Sequence, residues 1–420
     1  MSLPTPTYQL GGDLAWSRKK EKLLASSPID KSSGGILHRP KPITTSRSSV
    51  GWTINRDQVW IPNESELGRI SFENYSDGAY LNEPGRTNLI LSDPLMVGGT
   101  SGSPGIQPTG YGFSNFGGGT IIISDGSING GKKVRFQANE ERTYFSTTLN
   151  VVAGNTYIFS SYVDITTTNQ IRQLVSRTTG GLSMSVSYHL NGIEVEPSYY
   201  PSVGRHRLGI KLYDLTPSGT LSFRFGVGCS GVTTGDVTFE LPQIELGEYS
   251  TSLIPESNTT RVEDTMGIEL EPALIGQTEG SLFIRGTVLD PTAGNYISLS
   301  DGTGDNRIQI GFALTSGNLT YTIRCGGSSE VSQSMVGNYT ANTDYRIAVR
   351  YTNNDCVLYL NGAKILTDTV ANISFSSQLN TLNLGDNNLS NNSATWKGCV
   401  REIKVWSTPL TDAQLEKITT

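Results

Sequence analysis

The sequence predicts an all-β protein with two tandem antiparallel jelly-roll sandwiches, preceded by an extended, partly helical N-terminal arm. Glycine is frequent, at 47 of 420 residues, and only 17% of residues are charged, which is typical of turn-rich β-proteins. Short runs alternate between apolar and polar residues, as half-buried strands do. The runs form two series, separated by a stretch rich in Gly, Ser, Thr and Pro. We therefore expect an arm at 1–45, one sandwich at 46–264 and another at 265–420.

The N-terminal arm is basic, whereas the rest of the chain is acidic. Residues 1–50 carry eight Lys/Arg and three Asp/Glu, a net +5, which leaves −11 for the remainder of a chain with net charge −6. This asymmetry favours an arm that anchors the protein to an acidic partner, with a solvated tail as the alternative. Nucleic acid is disfavoured because no stacking aromatics alternate with the basic residues. The anchoring residues would be Trp16, Arg18, Lys19, Lys20 and Lys22.

The same arm contains one candidate helix, at residues 13–27. Asp13 is a suitable N-cap, but the middle of the segment is strongly polar, so the helix would need a surface on which to dock. The arm shows few core-forming residues and is expected to be disordered in the isolated protein.

The middle domain shows the alternation of a two-sheet sandwich. Asn191–Gly192 predicts a hairpin turn, and the glycine-rich segment 92–119 predicts long loops. The predicted strands include the alternating positions in 134–136, 157–163, 182–188, 208–212, 221–227 and 237–241.

The last domain has a similar pattern and ends in a helix. Asn361–Gly362 predicts a second tight hairpin, and Thr411 with Gln414 has the spacing of a capping box. A linker rich in chain-breaking residues is expected at 255–280. The predicted strands are 319–323, 345–351, 356–360 and 381–384.

The cysteine spacing, the hydropathy and the N-terminus argue against a zinc protein, a membrane-spanning protein and a protein with a secretory signal. The four cysteines have no CxxC spacing, so free, mostly buried thiols are favoured over zinc ligands or disulfides. No apolar run reaches the ~20 residues that span a bilayer. The N-terminus lacks the pattern of a secretory signal, which predicts synthesis in the cytoplasm. The cysteines are Cys229, Cys325, Cys356 and Cys399.

Two phrases carry a family resemblance. The stretch PQIELGEYSTSLIPESNTTRVED at 242–264 and the stretch AYLNEPGRTNLIL at 79–91 resemble the closing and opening signatures of carbohydrate-binding-module-like domains in tailed-phage virion proteins. Segments 46–52 and 68–78 occupy the places of two further family segments, and Leu253 stands where the family usually has tyrosine.

The C-terminal phrases resemble a second family. DCVLYLNGAKI, followed by WKGCVREIKVWSTPLTDAQLEKI, is similar to the concanavalin-A-like (laminin-G-like) jelly roll. That fold serves lectins, adhesion modules, enzymes and spacers, so the resemblance implies a fold and leaves the ligand open.

Together the resemblances imply a bacteriophage virion protein, a fibre or decoration that displays glycan-binding domains to the bacterial surface. Its partners would be other virion proteins, bound through the arm, and bacterial surface glycans. A homo-oligomer is expected, for example a trimer, with no membrane insertion. The alternative is a capsid or tail protein whose sandwiches only cement or decorate the particle, and a glycan depolymerase ranks third.

Nothing in the sequence selects a catalytic pair. No nucleophile-elbow, zinc-protease or P-loop motif is present, and His38, His189 and His206 have unrelated contexts. A glycosidase needs two carboxylates facing each other across a groove. Glu194 and Glu196 would share a face only within a strand, and the following proline favours a turn. We therefore expect a non-enzymatic protein.

Glycan binding requires exposed aromatics with polar neighbours. Tyr199 and Tyr200, flanked by prolines, are the best candidates for a loop that stacks on sugar, although packing against another subunit is an alternative. The further candidates for glycan contact are Tyr111 and Phe113, with Arg172 and Gln173 as polar groups.

Two turns are rich in the oxygen ligands that Ca²⁺ prefers. One contains Asp301, Asp305 and Asn306, and the other spans residues 385–392. The turn chemistry of Asp, Asn and Gly explains both without a cation, and this interpretation is favoured, so no cofactor is expected.

Overall fold

A computed structural model of the chain describes residues 3–11, 17–19, 22–24, 44–46, 49–55, 57–63, 69–73, 78–178, 180–385 and 394–420. The chain divides into two compact units. Unit 1 comprises residues 1–84 and 262–420, and unit 2 comprises residues 85–261. The chain of unit 2 is thus inserted into that of unit 1.

The described structure is all-β, as predicted. The strands of the first segment of unit 1 are β1 (Tyr8–Gly11), β2 (Ser17–Lys19), β3 (Lys22–Leu24), β4 (Thr44–Ser46), β5 (Gly51–Ile54), β6 (Trp60–Asn63), β7 (Arg69–Ser71) and β8 (Ala79–Asn82). The elements of unit 2 are β9 (Arg86–Thr87), β10 (Gly112–Phe116), β11 (Thr120–Asp125), β12 (Lys132–Val151), β13 (Tyr157–Thr167), α1 (Ile171–Leu174), β14 (Val175–Thr178), β15 (Ser183–Leu190), β16 (Ile193–Val195), β17 (Gly204–Thr216), β18 (Gly219–Val227), β19 (Thr233–Leu246) and β20 (Thr260–Arg261).

The second segment of unit 1 completes the chain. Its elements are β21 (Thr265–Glu269), β22 (Gly280–Val288), β23 (Asn295–Ser300), β24 (Arg307–Phe312), β25 (Leu319–Cys325), β26 (Ser328–Met335), β27 (Tyr345–Tyr351), β28 (Cys356–Leu360), β29 (Ala363–Asp368), β30 (Thr381–Asn383), β31 (Gly398–Trp406) and α2 (Asp412–Thr419). Neither α-helix of the described residues combines the length and hydrophobicity needed to cross a membrane.

Unit 1 contains two antiparallel sheets whose apolar side chains form a common core. Among the described residues, one sheet has the order β29-β28-β27-β22-β31-β8-β7, with β1 also paired to β31. The other has the order β26-β25-β24-β23-β30-β21-β4. Helix α2 begins with the predicted capping box of Thr411 and Gln414, and its Leu415 packs with Phe283 and Trp406 in a smaller cluster.

The start of strand β31 explains the tryptophan and the glycine at the beginning of the stretch WKGCVREIKVW. Trp396 is fully buried, and its indole N–H donates to the Thr287 carbonyl at 3.0 Å. Gly398 has a φ of +155°, and a Cβ there would lie 2.1 Å from the same carbonyl oxygen. Only glycine therefore allows β31 to approach β22 this closely.

Unit 2 also contains a sandwich, in which the long strand β12 takes part in both sheets. Its first part pairs with β11 and β19, and its second part pairs with β10 and β18. A register shift between Ala138 and Glu141, with Glu140 at a φ of +55°, bends the strand between these parts. The remaining strands extend these sheets in the order β14-β18-β12-β19-β13-β17-β15-β16. A cluster of buried aromatic rings fills the core: Phe136, Phe145, Phe159, Phe223, Phe225 and Phe239.

Both predicted hairpins are confirmed. Asn191 and Gly192 join β15 to β16 with φ angles of +52° and +82°, and Asn361 and Gly362 join β28 to β29 with +46° and +85°. These are the left-handed conformations that Asn-Gly adopts in tight hairpins. The four cysteines are free, and three of them are buried.

The N-terminal segment differs from the predicted arm. Strand β1 pairs with residues Glu402–Val405 of β31, and Tyr8 and Leu10 are buried in the core of unit 1. The expectation that this region lacks core-forming residues is therefore wrong for residues 8–11. The partner of β1 lies almost 400 residues away, which no local pattern reveals.

The predicted helix at 13–27 is also wrong at the described positions, where β2 and β3 form an antiparallel pair. In a helix, Arg18 and Lys22 would be four residues apart, a spacing at which like charges repel. Trp16 and Lys20 lie outside the described residues, and Arg18, Lys19 and Lys22 belong to these two strands.

The boundary of the middle sandwich lies at residue 85 rather than 46. Strands β7 and β8 extend the sheet of unit 1, because β8 pairs with the beginning of β31. Residues 255–280 are not a plain linker, since they contain β20 and β21 and end at the start of β22. The segment 92–119 is likewise not all loop, because β10 lies within it.

A buried ion cluster connects three segments of unit 1. The Arg69 side chain is fully buried, and its guanidinium binds the Glu83 carboxylate at 2.7 Å and also the Asp264 carboxylate. Two further hydrogen bonds join Glu83 and Asp264: the Asp264 N–H donates to the Glu83 backbone carbonyl, and the Glu83 N–H donates to the Asp264 carboxylate. Burial opposes the charge of Arg69, but the two carboxylates outweigh it and raise the pKa of Arg69 above its usual range.

We expect Leu10→Ala to lower the free energy of unfolding by about 2–5 kcal/mol, because it leaves a cavity between β1 and the core. Urea unfolding of the full chain measures this change. Thr5→Ala, at an exposed position of the same segment, is the control. Unchanged stability of Leu10→Ala would contradict the assignment of β1 to the core.

Replacement of Arg69 by Met should destabilise the protein by about 3–5 kcal/mol, because two buried carboxylates lose their cation. Arg285→Met is a matched control, since Arg285 binds Asp344 in a partly exposed pair, for which the expected loss is below about 1 kcal/mol. Equal losses in the two variants, measured by urea unfolding, would refute the special role of the buried cluster.

Candidate functional site

The paired tyrosines lie on an exposed turn of unit 2, which we call the tyrosine loop (residues 196–201). Tyr199 is 44% exposed and Tyr200 is 57% exposed. The Tyr199 N–H donates to the Glu196 carbonyl at 2.8 Å, which closes the turn, and Pro197 and Pro201 restrict the backbone on either side. The loop therefore presents two aromatic rings to solvent on a backbone that has little freedom to lose.

Helix α1 and the residues before it hold the tyrosine loop. The Ile171 N–H donates to the Tyr199 carbonyl at 2.8 Å, and the Thr168 hydroxyl donates to the Pro201 carbonyl. Arg172 follows Ile171, is exposed, and donates from Nε to the Gln170 side chain at 2.9 Å. The fold thus brings Tyr199, Tyr200 and Arg172 to one surface.

Tyr111 is a core residue, so the expectation that it contacts a ligand is wrong. It is 3% exposed, and its ring packs against Phe145 and Phe225 with centroid distances of 6.1 and 5.8 Å. Its hydroxyl donates to the Asp93 carbonyl at 2.8 Å, and burial, with the charge of Asp93, raises the pKa of Tyr111 well above its usual value. The glycines around Tyr111 predicted an exposed loop, but the Tyr111 ring packs into the aromatic core of unit 2.

Phe113 is partly exposed but lies far from the tyrosine loop. It is 41% exposed on β10 and contacts Phe145 edge-to-face at 5.9 Å. The register places Phe113 opposite Phe145, Phe145 opposite Phe225, and Phe225 opposite Val175, just after α1. Three strand spacings separate the two edges, about 14 Å. Phe113 therefore lies on the strand at the opposite edge of this sheet from the strand that follows α1.

The candidate cation turn is satisfied by protein hydrogen bonds. The Asp301 carboxylate accepts bonds from the Thr303 N–H at 2.9 Å, the Thr303 hydroxyl at 2.6 Å, the Asn306 amide at 2.9 Å and the Ser377 hydroxyl. The Asn306 carbonyl oxygen accepts from the N–H groups of Gly326 and Ser376, each at 2.9 Å. A cation here would have to displace these donors. Asp305 is exposed.

The described residues contain no group of three or more His, Cys, Asp or Glu side chains that could hold a metal ion. Of the second candidate cation turn, residues 386–392 lie outside the described part of the chain. The hydrogen bonds of Asp301 also change its acidity. Burial alone would raise its pKa, but the bonds from Ser377, Thr303 and Asn306 outweigh this and lower the pKa.

The candidate acid–base residues do not assemble a catalytic pair. Glu194 is exposed on β16, and Glu196 is exposed at the start of the tyrosine loop, so the two lie along one edge instead of facing each other. His189 is buried, and burial, together with Lys211, lowers its pKa, while its ring contacts the Ser187 hydroxyl at 3.0 Å. His206 binds Ser202 and Asn191, and His38 lies outside the described residues.

Unit 2 contains a cleft that sequence reasoning missed. Its volume is ≈ 560 Å³, and it lies where β9, the end of β12, the start of β13 and the end of β19 meet. The lining residues come from distant parts of the chain, which is why no local pattern revealed them. They are Gly85, Arg86, Thr87, Leu89, Leu91, Leu149, Asn150, Asn155, Tyr157, Leu246, Asn258 and Thr260.

One signal for this cleft was present in the sequence. Eight of the lining residues fall within the two phrases at 79–91 and 242–264. The phrases also bind each other, because β9 pairs with β20 and the Asn88 amide donates to the Ile254 carbonyl at 2.9 Å. Residues read only as family signatures therefore form one wall of a cleft.

The last part of the chain is similar to a known protein family. Residues 280–416, from β22 to α2, match the family model of the concanavalin A-like lectin/glucanases superfamily. This confirms the expected fold of that segment. No curated protein is significantly similar in sequence to this chain.

Several solved structures are similar to part of this chain. They include the CBM40 module of the Ruminococcus gnavus IT-sialidase bound to α2,3-sialyllactose, with 15% identity and a TM-score of 0.31 over 37% of this chain and 96% of that chain. Domain 4 of AbnA, an extracellular GH43 arabinanase from Geobacillus stearothermophilus, in complex with arabinotriose, has 13% identity and a TM-score of 0.31 over 38% and 73%. A heptameric SAP-like pentraxin from Limulus polyphemus has 16% identity and a TM-score of 0.29 over 34% and 70%.

We expect Asp301→Asn to lower stability at pH 7 by about 1 kcal/mol, since the donors around a partly exposed carboxylate lose their charged acceptor. Because the folded pKa of Asp301 is depressed, its contribution is complete above the unfolded pKa of about 3.9. It is lost as the pH falls through the folded pKa. Urea unfolding from pH 7 to pH 3 should therefore show the two proteins converging below about pH 4.

Asp305→Asn in the same turn is the control and should leave stability unchanged, because this side chain is exposed. Millimolar calcium should not raise the melting temperature of either protein. A calcium-dependent rise that Asp301→Asn removes would show that the turn is a cation site after all.

Proposed function

We propose that this chain is a surface protein of a bacteriophage virion, a fibre or decoration, and that unit 2 binds a glycan of the bacterial surface. The observation that carries the glycan proposal is the tyrosine loop, where two neighbouring rings are about half exposed beside Arg172. Exposed aromatic rings stack on the apolar faces of sugars, and a guanidinium donates to their hydroxyl groups. The lectin-type family match at residues 280–416 also supports a glycan-binding protein.

The virion part of the proposal depends on the resemblance of residues 79–91 and 242–264 to phage virion proteins. In this proposal the basic part of the N-terminal segment between residues 12 and 43 binds other virion proteins. Strand β1 cannot be a free tether, because its side chains belong to the core of unit 1. The protein has no catalytic role in this scheme, and it acts as a homo-oligomer, for example a trimer.

A glycan array with the full chain tests the proposal most directly. Selective binding to bacterial surface glycans is the expected result. A protein that only cements or decorates the particle should bind no glycan, and cleavage of a bound glycan would instead identify a depolymerase.

The double variant Tyr199→Ala/Tyr200→Ala should weaken glycan binding. Each ring contact supplies about 0.5–1.5 kcal/mol beyond its buried area, so loss of both should weaken binding by about 5- to 150-fold. The melting temperature should hardly change, because both rings are exposed. Phe116→Ala is a matched control, since this ring is 59% exposed on β10, away from the tyrosine loop. A large fall in stability of the double variant, with glycan binding unchanged, would assign the tyrosines a structural role.

A further inference from the structure

We propose that the cleft of unit 2 is a second binding site and that it takes an acidic sugar, whose carboxylate binds Arg86. This inference rests on the proposed function only in taking a saccharide as the ligand class. The site, its chemistry and its test are independent of the tyrosine loop.

The size of the cleft suits a small ligand. Its volume of ≈ 560 Å³ lies within the range of small-molecule sites, roughly 300–1,000 Å³. Four structural elements of unit 2 converge on it, so its walls are fixed by sheet pairing. The Gly247 N–H, for example, donates to the Thr156 carbonyl at 2.9 Å and joins the end of β19 to the start of β13.

Arg86 gives the cleft a positive charge that the described residues do not neutralise. No Asp or Glu is among the lining residues, and in the described structure Arg86 forms no ion pair. Its Nη1 donates to the Gly85 carbonyl at 3.2 Å, and the guanidinium lies over the Tyr249 ring at 5.1 Å. Its Nε is buried and has no hydrogen-bond partner among the described residues. A guanidinium at a cleft wall without a carboxylate partner in the described structure favours an anionic ligand.

Glycine at position 247 creates the space for this guanidinium. A Cβ there would lie 2.7 Å from Nη2 and 2.9 Å from Cζ of Arg86, and the φ of +138° also disfavours other residues. The glycine and the arginine belong to the two sequence phrases that bind each other. Their combination therefore places a cation at the wall of the cleft.

The other polar groups of the cleft suit hydroxyl groups. Asn150 accepts a bond from the Thr220 hydroxyl at 2.8 Å through its carbonyl oxygen, and no described residue accepts from its amide N–H groups. The Asn155 amide approaches the Tyr157 hydroxyl at 3.5 Å, so its carbonyl oxygen is left as an acceptor. Mixed donors and acceptors of this kind are what a polyol requires.

Apolar side chains complete the surface. Leu91 is 57% exposed and Leu246 is 46% exposed, although both belong to a well-packed sandwich. The C–H face of a sugar ring would cover such leucines. A single guanidinium also matches one carboxylate, which it can bind in a bidentate manner, whereas phosphate sites commonly add helix N-termini. No helix of the described residues contributes to this cleft.

The cleft and the tyrosine loop lie at opposite ends of strand β13. Tyr157, at the start of β13, lines the cleft, and Thr168, just after its end, bonds to the tyrosine loop. An 11-residue strand separates its ends by about 33 Å. The two sites can therefore be tested separately.

The test uses the full chain and two probes that differ in one group, galacturonic acid and galactose, titrated at neutral pH with ligand-observed NMR. We expect galacturonic acid to bind at least about tenfold more tightly than galactose, as one charge-assisted contact provides. Arg86→Gln should abolish this preference. Equal affinity for the two sugars, or no binding of galacturonic acid, would overturn the proposal.

Asn150→Asp is a second variant that tests the same site in case Arg86→Gln does not fold. Asn150 is exposed, and an aspartate keeps the acceptor for Thr220 while it adds a negative charge to the cleft. This variant should unfold at the normal temperature and lose the preference for galacturonic acid. Tyr199→Ala/Tyr200→Ala should retain it. If the tyrosine variant loses the preference and Asn150→Asp retains it, the acid binds elsewhere and the inference is wrong.

Discussion

The insertion of unit 2 imposes one constraint on the whole chain: the strands that lead into it and out of it must be held together. Within unit 2, β9 pairs with β20, and Asn88 is the centre of the contact. Its amide donates to the Ile254 carbonyl, its side-chain oxygen accepts from the Ile244 N–H at 3.1 Å, and its own carbonyl accepts from the Asn258 N–H at 2.7 Å. Within unit 1, Arg69 binds Glu83 and Asp264, the residues that flank the insertion in sequence. In each unit, a set of buried polar contacts therefore holds together the segment that leads into unit 2 and the segment that leads out of it.

This constraint explains why two short phrases stand out in a sequence that is otherwise a succession of ordinary strands. Asn88 needs its amide because that side chain satisfies the Ile90 N–H, the Ile244 N–H and the Ile254 carbonyl, and a buried polar group without a partner is costly. Glu83 and Asp264 need their carboxylates because both bind the buried Arg69. Arg86 has no ion pair in the described structure, yet it lies between residues that the fold requires. The stretch 79–91 can therefore contain both the residues that hold the chain segments together and the arginine that gives the cleft its charge.

The sequence predicted most of the sandwich strands correctly, because a strand with one buried face has a period of two that can be read locally. The Asn-Gly hairpins were equally accessible, since the left-handed backbone selects those residues. What could not be read was pairing over long distances. Strand β1 is four residues long, and nothing in YQLG indicates that Tyr8 will pair with Val405. The boundary at residue 85 was missed for the same reason, because β7 and β8 are ordinary strands until their partner β31 is known.

Within the candidate site, the exposure of Tyr199 followed from its prolines, whereas the burial of Tyr111 depends on rings that come from β12 and β18.

The position of β1 has a consequence for the order in which the protein is made. On the ribosome, residues 8–11 emerge almost 400 residues before residues 402–405, with which they pair. Unit 2 can close as soon as residue 261 is available, whereas the sheet of unit 1 must wait for β31. During that interval Tyr8 and Leu10 remain exposed, and folding through such distant contacts is slow. Premature termination of translation would therefore release a chain with a finished inner domain and an open, aggregation-prone outer one.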